Sequence, residues 1–433
     1  MSGGRAIAMV VVSLAASCAG VNPTASPAPS SGATSNGSTP PGIATASPTA
    51  MPTATPTELP TQPPTAGPPA TPTATESTQP PIAISELHWR EIGPLGEPGR
   101  IYSELDEMEA LIGFARGYVG VHKVVDAEFN HQDRLWFSAD GQSWQDYGLI
   151  PAEDEVRAVG TNGDSVVMLV RKGDSTTEAW VSDNGLDWRT AEIGSPELTA
   201  DPVPRAVWPR EGGWHAAMVE TYEENCDSPY GCSQGALWTS ADGLSWQRLG
   251  TIDIGDPVAG LTAADGTVLI QSDFLLESAD DGHTWDRVEI PRHCFEPYSP
   301  NFLVAHAPID NVLIFGGGSN VCWADAGLVT WHRTALPTTS ILEQARSTLI
   351  QTTLGLIAAA PRDCYEPACP PFVEQFVSVD GTSWLSLAEP TLEMRTAMRL
   401  NLVDGPGGAF GLASFGVPGG REMRVFQLVA ESP

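Results

Sequence analysis

The sequence predicts an all-β chain: a β-propeller of seven four-stranded blades, with six blades as the alternative count. Three observations predict it. A hairpin, clearest at Leu276–Trp285, recurs six times along the 433 residues. Its closing tryptophans are spaced roughly 40 to 60 positions apart, the period of a four-stranded blade. The folded region opens with one strand that lacks a hairpin and ends with three strands that lack a fourth. Together they complete one blade and leave no sheet edge open.

Each hairpin has the same chemistry. Ser and Asp side chains are suited to capping exposed backbone N–H groups in a tight turn. Gly supplies a position with φ above zero, and Trp anchors the returning strand. The copies are Ser138, Asp140, Gly141, Trp144; Ser182, Asn184, Gly185, Trp188; Ser240, Asp242, Gly243, Trp246; Ser278, Asp280, Gly282, Trp285; and Ser378, Asp380, Gly381, Trp384. A degenerate copy keeps Asp325, Gly327 and Trp331. Two apolar runs joined by a turn precede each hairpin, as in Val156–Val159, Asn162-Gly163-Asp164 and Val166–Val170. At the ends, Leu87–Ile92 reads as a lone final strand. Ala397–Val403, Ala409–Ser414 and Met423–Val429 read as its three partners. The best helical candidate is Ser103–Phe114, which reads equally well as loop and strand.

Residues 1–17 carry one cation, Arg5, followed by the apolar run Ala6–Ala16. The run is too short to span a bilayer and has the length of a signal-peptide core. Residues 18–81 are almost entirely Pro, Thr, Ala, Ser and Gly. Such a segment buries too little apolar surface to fold. In polyproline II, at ~3.1 Å per residue, it reaches on the order of 100–200 Å. Asn36-Gly37-Ser38 is a weak glycosylation match. The propeller is assigned to residues 82–433.

With 22 basic and 53 acidic side chains the net charge is −31. Phosphate binding needs clustered Lys and Arg, so nucleic acid and anionic membrane surfaces are excluded as partners. The acidity reads as a solvated surface. Apart from Cys18, six cysteines remain: Cys226, Cys232, Cys294, Cys322, Cys364 and Cys369. Cys226/Cys232 and Cys364/Cys369 are close enough to staple single loops, leaving Cys294/Cys322, although sequence leaves other pairings open. A disulfide framework implies an oxidising, extracytoplasmic compartment. A zinc site would need a CxxC pair or a His-rich partner segment. His293-Cys294 alone does not supply one, so no metal and no cofactor are assigned.

The segment Leu14-Ala15-Ala16-Ser17-Cys18 resembles the lipobox of bacterial lipoproteins, with Ala15 where that family more often has Leu. The resemblance implies lipidation at Cys18, and the membrane is then met only through that anchor. The hairpins resemble the Asp-box, Ser-x-Asp-x-Gly-x-Thr-Trp, of sialidase-like (BNR-repeat) β-propellers. Only Ser278–Trp285 has the eight-residue form. The copies ending at Trp144, Trp246 and Trp384 are one residue shorter, and Asn184 replaces an Asp. In that family the box lies at the blade periphery, so its residues are read as structural.

The same resemblance raises the question of glycoside hydrolysis through an arginine triad, a Tyr/Glu pair and an Asp acid. The nearest match to the first arginine motif is Gly99-Arg100-Ile101-Tyr102, which lacks the preceding Phe and the Pro. Arg205, Arg210, Arg292, Arg346, Arg362 and Arg399 are further arginines without an assigned position. Carboxylates are so abundant that a pair discriminates nothing. Zincin, nucleophile-elbow and phosphate-loop motifs are missing. Gly316-Gly317-Gly318 follows an apolar run but opens no helix. No catalytic residue is assigned.

Function is therefore expected where the blades differ. The longest interruptions are Glu220–Gly235, Arg292–Asn301 and Arg362–Gln375, each with one or two cysteines and with aromatic residues. The expectation is a monomeric, non-catalytic binding or scaffold module whose loop-bearing face takes a protein or carbohydrate. A sialidase-type glycosidase is one alternative. An assembly factor, similar to photosynthesis-related seven-bladed propellers, is the other.

Overall fold

A computed structural model of the chain describes residues 87–103, 107–125, 130–194, 202–222, 232–252, 259–263, 265–271, 274–294, 303–306, 312–315, 320–324, 328–338, 348–352, 354–361, 373–387, 397 and 399–430. Cys18, the signal and stalk assignments, Asn36, Gly316–Gly318, Cys226, Cys364, Cys369, Asp325 and Gly327 lie outside them. The protein is an all-β propeller with four-stranded blades.

The described residues form seven four-stranded antiparallel sheets. After β1 (Leu87–Pro94), sheet I holds β2 (Glu107–Phe114), β3 (Gly117–Val125), β4 (His131–Ser138) and β5 (Gln145–Leu149). Sheet II holds β6 (Glu155–Thr161), β7 (Val166–Arg171), β8 (Thr177–Ser182) and β9 (Arg189–Ile193). Sheet III holds β10 (Val203–Arg210), β11 (Gly213–Tyr222), β12 (Cys232–Ser240) and β13 (Trp246–Ile252). Sheet IV holds β14 (Ala259–Thr262), β15 (Val268–Gln271), β16 (Leu275–Ser278) and β17 (Asp286–Val288). Sheet V holds β18 (Leu303–His306), β19 (Val312–Phe315), β20 (Asn320–Ala324) and β21 (Trp331–Ala335). Sheet VI holds β22 (Thr348–Thr352), β23 (Gly355–Pro361), β24 (Val373–Ser378) and β25 (Leu385–Ser386). Sheet VII is composite: β26 (Arg399–Gly405), β27 (Gly408–Val417) and β28 (Gly420–Ala430) are completed by β1. Leu87 pairs with Ala430 and Pro94 with Arg424, so the two ends of the folded region share one sheet.

The ambiguous stretch Ser103–Phe114 resolves into strand β2 over Glu107–Phe114. Ala110, Ile112 and Phe114 pack towards sheet II, whereas Met108 and Leu111 join the opposite seam. A strand buried on both sides has no polar face to set a period, which is why its pattern imitates a helix.

Burial is graded from inner to outer strands where the side chains are described. β7 is buried from Val166 to Val170, while the outermost β5 and β25 are exposed along most of their length. The core is divided into apolar seams, each between sheets consecutive in the chain. Phe114 and Val119 meet Val166 and Met168 between I and II. Val167 and Leu169 meet Trp214 and Met218 between II and III. Trp208 and Leu237 meet Val268 and Ile270, and Leu269 and Val288 meet Ala324 and Leu328. Val321 meets Leu349 and Phe376, and Ile357 meets Leu400 and Phe426. Finally Phe410 and Met423 of sheet VII meet Met108 and Tyr118 of sheet I. The first and last sheets are thus neighbours, packed as the others are.

Candidate functional site

Within each sheet the first-to-second and third-to-fourth turns share one end, and the second-to-third connection lies at the other. The recurrent hairpins join third to fourth strands. At each described copy the serine hydroxyl takes the glycine N–H and points at the carboxyl. Gly141 N lies 2.8 Å from Ser138 Oγ, which lies 3.1 Å from Asp140 Oδ1. Asp140 Oδ1 accepts the N–H groups of Gln142 and Ser143 at 2.9 and 2.8 Å. The indole N–H of Trp144 closes the turn on Gly141 O at 3.0 Å. Asp242 and Asp380 repeat this arrangement. Asn184 does so as a neutral residue, because only one acceptor oxygen is required. The N–H donors, Ser143 first, hold the Asp140 carboxyl below its ordinary range. At Asp280 the donors of Thr284 press it to about 2. These carboxylates are committed to the turn, which leaves them no part in acid–base chemistry.

The turn glycines do more than bend the chain. Four of them face the preceding sheet so closely that a Cβ would collide, among them Gly141 with Phe410, Gly243 with Val167 and Gly282 with Leu237. At Gly185 the nearest ring atom of Phe137 would stand 2.6 Å away. The box is therefore a clasp between sheets as well as a turn within one. In sheet IV the extra residue, Asp281 (φ 59°), adds a second tie. Its Oδ2 is 2.6 Å from Arg210 Nη1 and its Oδ1 is 3.2 Å from His215 Nε2. His215 Nδ1 in turn lies 3.5 Å from Thr262 Oγ1. Asp, His and Thr in line resemble a nucleophile relay. Yet His215 is fully buried, and Thr262 Oγ1 is also held by Trp208 Nε1 at 3.1 Å. Burial first, then Arg210, lowers the imidazole to about 4, with Asp281 opposing. The constellation ties sheet IV to sheet III.

The opposite end has a different character. Residues 223–231 and 362–372 are flanked by the strand ends Tyr222/Cys232 and Pro361/Val373, and residues 295–302 by Cys294, which ends a 3-10 turn after β17, and by Leu303, which starts β18. All lie at the end away from the boxes. Cys294, in a one-turn 3-10 helix before sheet V, is joined by a disulfide to Cys322 on β20, with the Cα atoms 5.5 Å apart. His293 lies beside these sulfurs, but a disulfide sulfur is no thiolate ligand, so the trio is not a metal set.

Buried charge concentrates at this end. Asp133 Oδ2 takes the Val156 N–H across the seam between sheets I and II at 2.6 Å. Thr177, five residues before its box serine as Asp133 is, bonds to Pro202 O of the next connection at 2.6 Å. Burial, then Glu109, raises Asp133 to about 7. Lys123 sits between Glu109 at 2.6 Å and Glu155 at 3.4 Å, and Glu155 reaches Arg157 at 2.6 Å. Glu220, fully buried, is held by Arg248 Nε at 2.9 Å and Trp238 Nε1 at 3.1 Å. In the sequence Glu220 marks only the start of the interruption Glu220–Gly235. A carboxylate eight residues past the Glu211-Gly212 turn, near the far end of a mostly apolar strand, is the available signal.

Arg100 lies in the connection from β1 to β2, 3.1 Å from Asp146 on the outermost strand β5 and over the rings of Tyr102 and Trp136. It faces the rim and not the axis. Arg157, Arg205 and Arg399 instead stand at the starts of the innermost strands β6, β10 and β26. Arg157 and Arg205 fall at bulges where the register slips, as Glu109 does in β2. Arg210 is bound to Asp281, Arg292 belongs to the 3-10 turn, and Arg346 and Arg362 lie outside the described residues.

No family model matches the chain, and no curated protein matches it. Solved structures do. YCF48 from Cyanidioschyzon merolae is similar over 78% of this chain and 99% of its own, at 13% identity and a TM-score of 0.41. The WD40 domain of Toxoplasma gondii coronin covers 82% of this chain and 90% of its own, at 8% identity and a TM-score of 0.49. A Trypanosoma rangeli sialidase in complex with sialic acid covers 79% of this chain, which spans 58% of that enzyme, at 12% identity and a TM-score of 0.47.

Proposed function

We propose that the seven sheets are seven blades of one closed ring, and that the ring is a non-catalytic binding or scaffold module. Its partner, a protein or a glycan, docks on the face opposite the box turns. The protein is a monomer held at the cell surface by a lipid on Cys18, with residues 18–81 as a spacer. One observation carries the reading: the sheets are alike at the box end and differ at the other. The three longest interruptions depart from strand ends on that one face. A repeated scaffold with variation confined to one face is how propellers present binding surfaces.

The test is a glycan array and a solution binding assay with the full chain, beside a variant in which residues 224–230 are replaced by a short Gly/Ser linker. Binding that is lost in this variant, with the melting temperature unchanged, supports the reading. Binding that is indifferent to the replacement of all three segments overturns it. Release of a Cys18→Ala protein into the medium tests the anchor.

One observation favours the glycosidase alternative. Arg157, Arg205 and Arg399 begin innermost strands on the loop-bearing side. Turnover of a fluorogenic sialoside by the wild type, lost in Arg205→Ala, would establish that activity in place of simple binding.

A further inference from the structure

The connection from sheet IV to sheet V carries a group unlike any box turn. His293 and Cys294 are consecutive in the 3-10 turn Arg292–Cys294, which the Cys294 N–H closes on Pro291 O at 2.8 Å. Cys322 lies in the middle of β20, between β19 and β21. The two sulfurs and an imidazole nitrogen of His293 all lie within 4.8 Å of one another. Among the described residues this is the only group of three such side chains whose ligand atoms stand so close. Both cysteines are buried, at 2% and 1% exposure, whereas His293 is exposed. While the disulfide is closed its sulfurs are not thiolates, so the oxidised form is no ligand set.

We propose that opening this disulfide creates a zinc site, with Cys294 Sγ, Cys322 Sγ and an imidazole nitrogen of His293 as ligands. The opening is a two-electron reduction by a dithiol through thiol–disulfide exchange. The bond between Cys294 and Cys322 breaks, the dithiol closes to its own disulfide, and each cysteine gains a proton. Zinc then releases both thiol protons to solvent as two Zn–S bonds and one Zn–N bond form. Distance supports this assignment. Tetrahedral zinc, with Zn–S of about 2.3 Å and Zn–N of about 2.0 Å, holds such ligand atoms about 3.5 to 3.8 Å apart. With their Cα atoms 5.5 Å apart, the freed sulfurs reach that separation by side-chain rotation. Charge supports it as well. Two thiolates and a neutral imidazole cancel the divalent ion, so the buried group avoids the cost of a lone charge. Thiolate and imidazole donors also favour zinc over calcium or magnesium, which take oxygen. Three protein ligands leave a fourth corner for water, and the exposed His293 brings that corner's side of the site to solvent. The metal would replace one cross-link between the turn and β20 by another, so the staple before sheet V would outlast reduction. This inference is independent of the partner that the loop-bearing face binds.

The test titrates zinc and cobalt into the full chain before and after reduction by a water-soluble phosphine, which adds no competing thiol. The reduced chain should take up about one equivalent more than a Cys294→Ser/Cys322→Ser protein treated identically, a difference that removes the contribution of the other cysteines. The oxidised chain should show no such excess. Cobalt in the reduced wild type should give a thiolate charge-transfer band and the intense visible bands of four-coordinate geometry, both reduced in the double variant. His293→Ala leaves the cysteines and the buried packing in place, so the proposal stays testable if the double variant fails to fold. It should weaken the apparent zinc affinity of the reduced chain roughly tenfold or more. Equal uptake by the reduced wild type and the double variant would overturn the proposal. So would an affinity unchanged in His293→Ala, uptake by the oxidised chain equal to that by the reduced one, or a disulfide that opens only when the whole chain unfolds.

Discussion

Asp281 of the fourth hairpin places Oδ2 2.6 Å from Nη1 of Arg210, in the turn region of the preceding sheet. This residue is the one by which the eight-residue box exceeds its shorter relatives, and its function is to reach backwards. Both side chains are partly exposed, so a double-mutant cycle of Asp281→Ala and Arg210→Ala should give a coupling of about 1 kcal/mol or less. Thermal unfolding of the four proteins measures it.

The clasp at the short boxes is steric and should cost more. Gly185→Ala forces a methyl onto Phe137 and Phe114 at a φ of +75°. Gly163→Ala also has a left-handed φ, +87°, but finds open space. We expect a loss on the order of 1 kcal/mol at Gly163 from backbone strain alone, and about 3 kcal/mol or more at Gly185. Equal losses in denaturant titrations would show that the clasp contributes nothing.

His122 makes the closure seam sensitive to acid. It is fully buried beside Tyr102, and burial, then Arg134 and Arg100, lower it to about 3, with Asp146 opposing. A histidine lowered on folding contributes stability that is complete above its unfolded value near 6.5. That contribution falls as pH drops towards 3. The sites corresponding to His122 in sheets II and III are Val170 and Met218, so His122→Val is an isolated test. Relative to the variant, the wild type should lose about 2 kcal/mol between pH 8 and pH 5. Parallel stability–pH curves for the two proteins would refute this.

The bond between Cys294 and Cys322 spans a sequence separation of 28. Closing a loop of that length stabilises by on the order of 3 kcal/mol through the unfolded state. The Cys294→Ala/Cys322→Ala protein should melt several degrees lower, and reductant should shift the wild type by no more than that. An unshifted double variant would contradict the expectation.

How much of this was legible depends on sequence distance. The box residues cap donors two to four positions away, so their pattern survives in sequence and recurs with the sheets. The strand β1 was legible because Trp89 repeats the position of Trp246. The clasps were not. Phe410 lies against Gly141 and the Tyr118 hydroxyl bonds to Gly408 O at 3.0 Å, across 290 residues of chain. No local period encodes such a meeting. Of the readings open for Ser103–Phe114, helix or loop and strand, the strand holds over Glu107–Phe114, and the helix-like pattern arises because β2 is buried on both faces. Asp133 and Thr177 mark a half-legible case: a polar residue five before the box serine, whose partner is the start of the next sheet. Arg100 resembled a substrate arginine by its neighbours in sequence, whereas Asp146 turns it to the rim.

The sharing of sheet VII between the two ends of the folded region sets an order of events during synthesis. β1 leaves the ribosome before the other described strands, yet its hydrogen-bonding partner, β28, follows about 330 residues later. Until then Leu87 and Trp89 belong to an unpaired edge, and any chain that stops short of Gly420 carries that edge permanently. A nonsense or frameshift lesion at the codon of Gly420 would therefore act at the far end of sheet VII's sequence, by stranding the first strand.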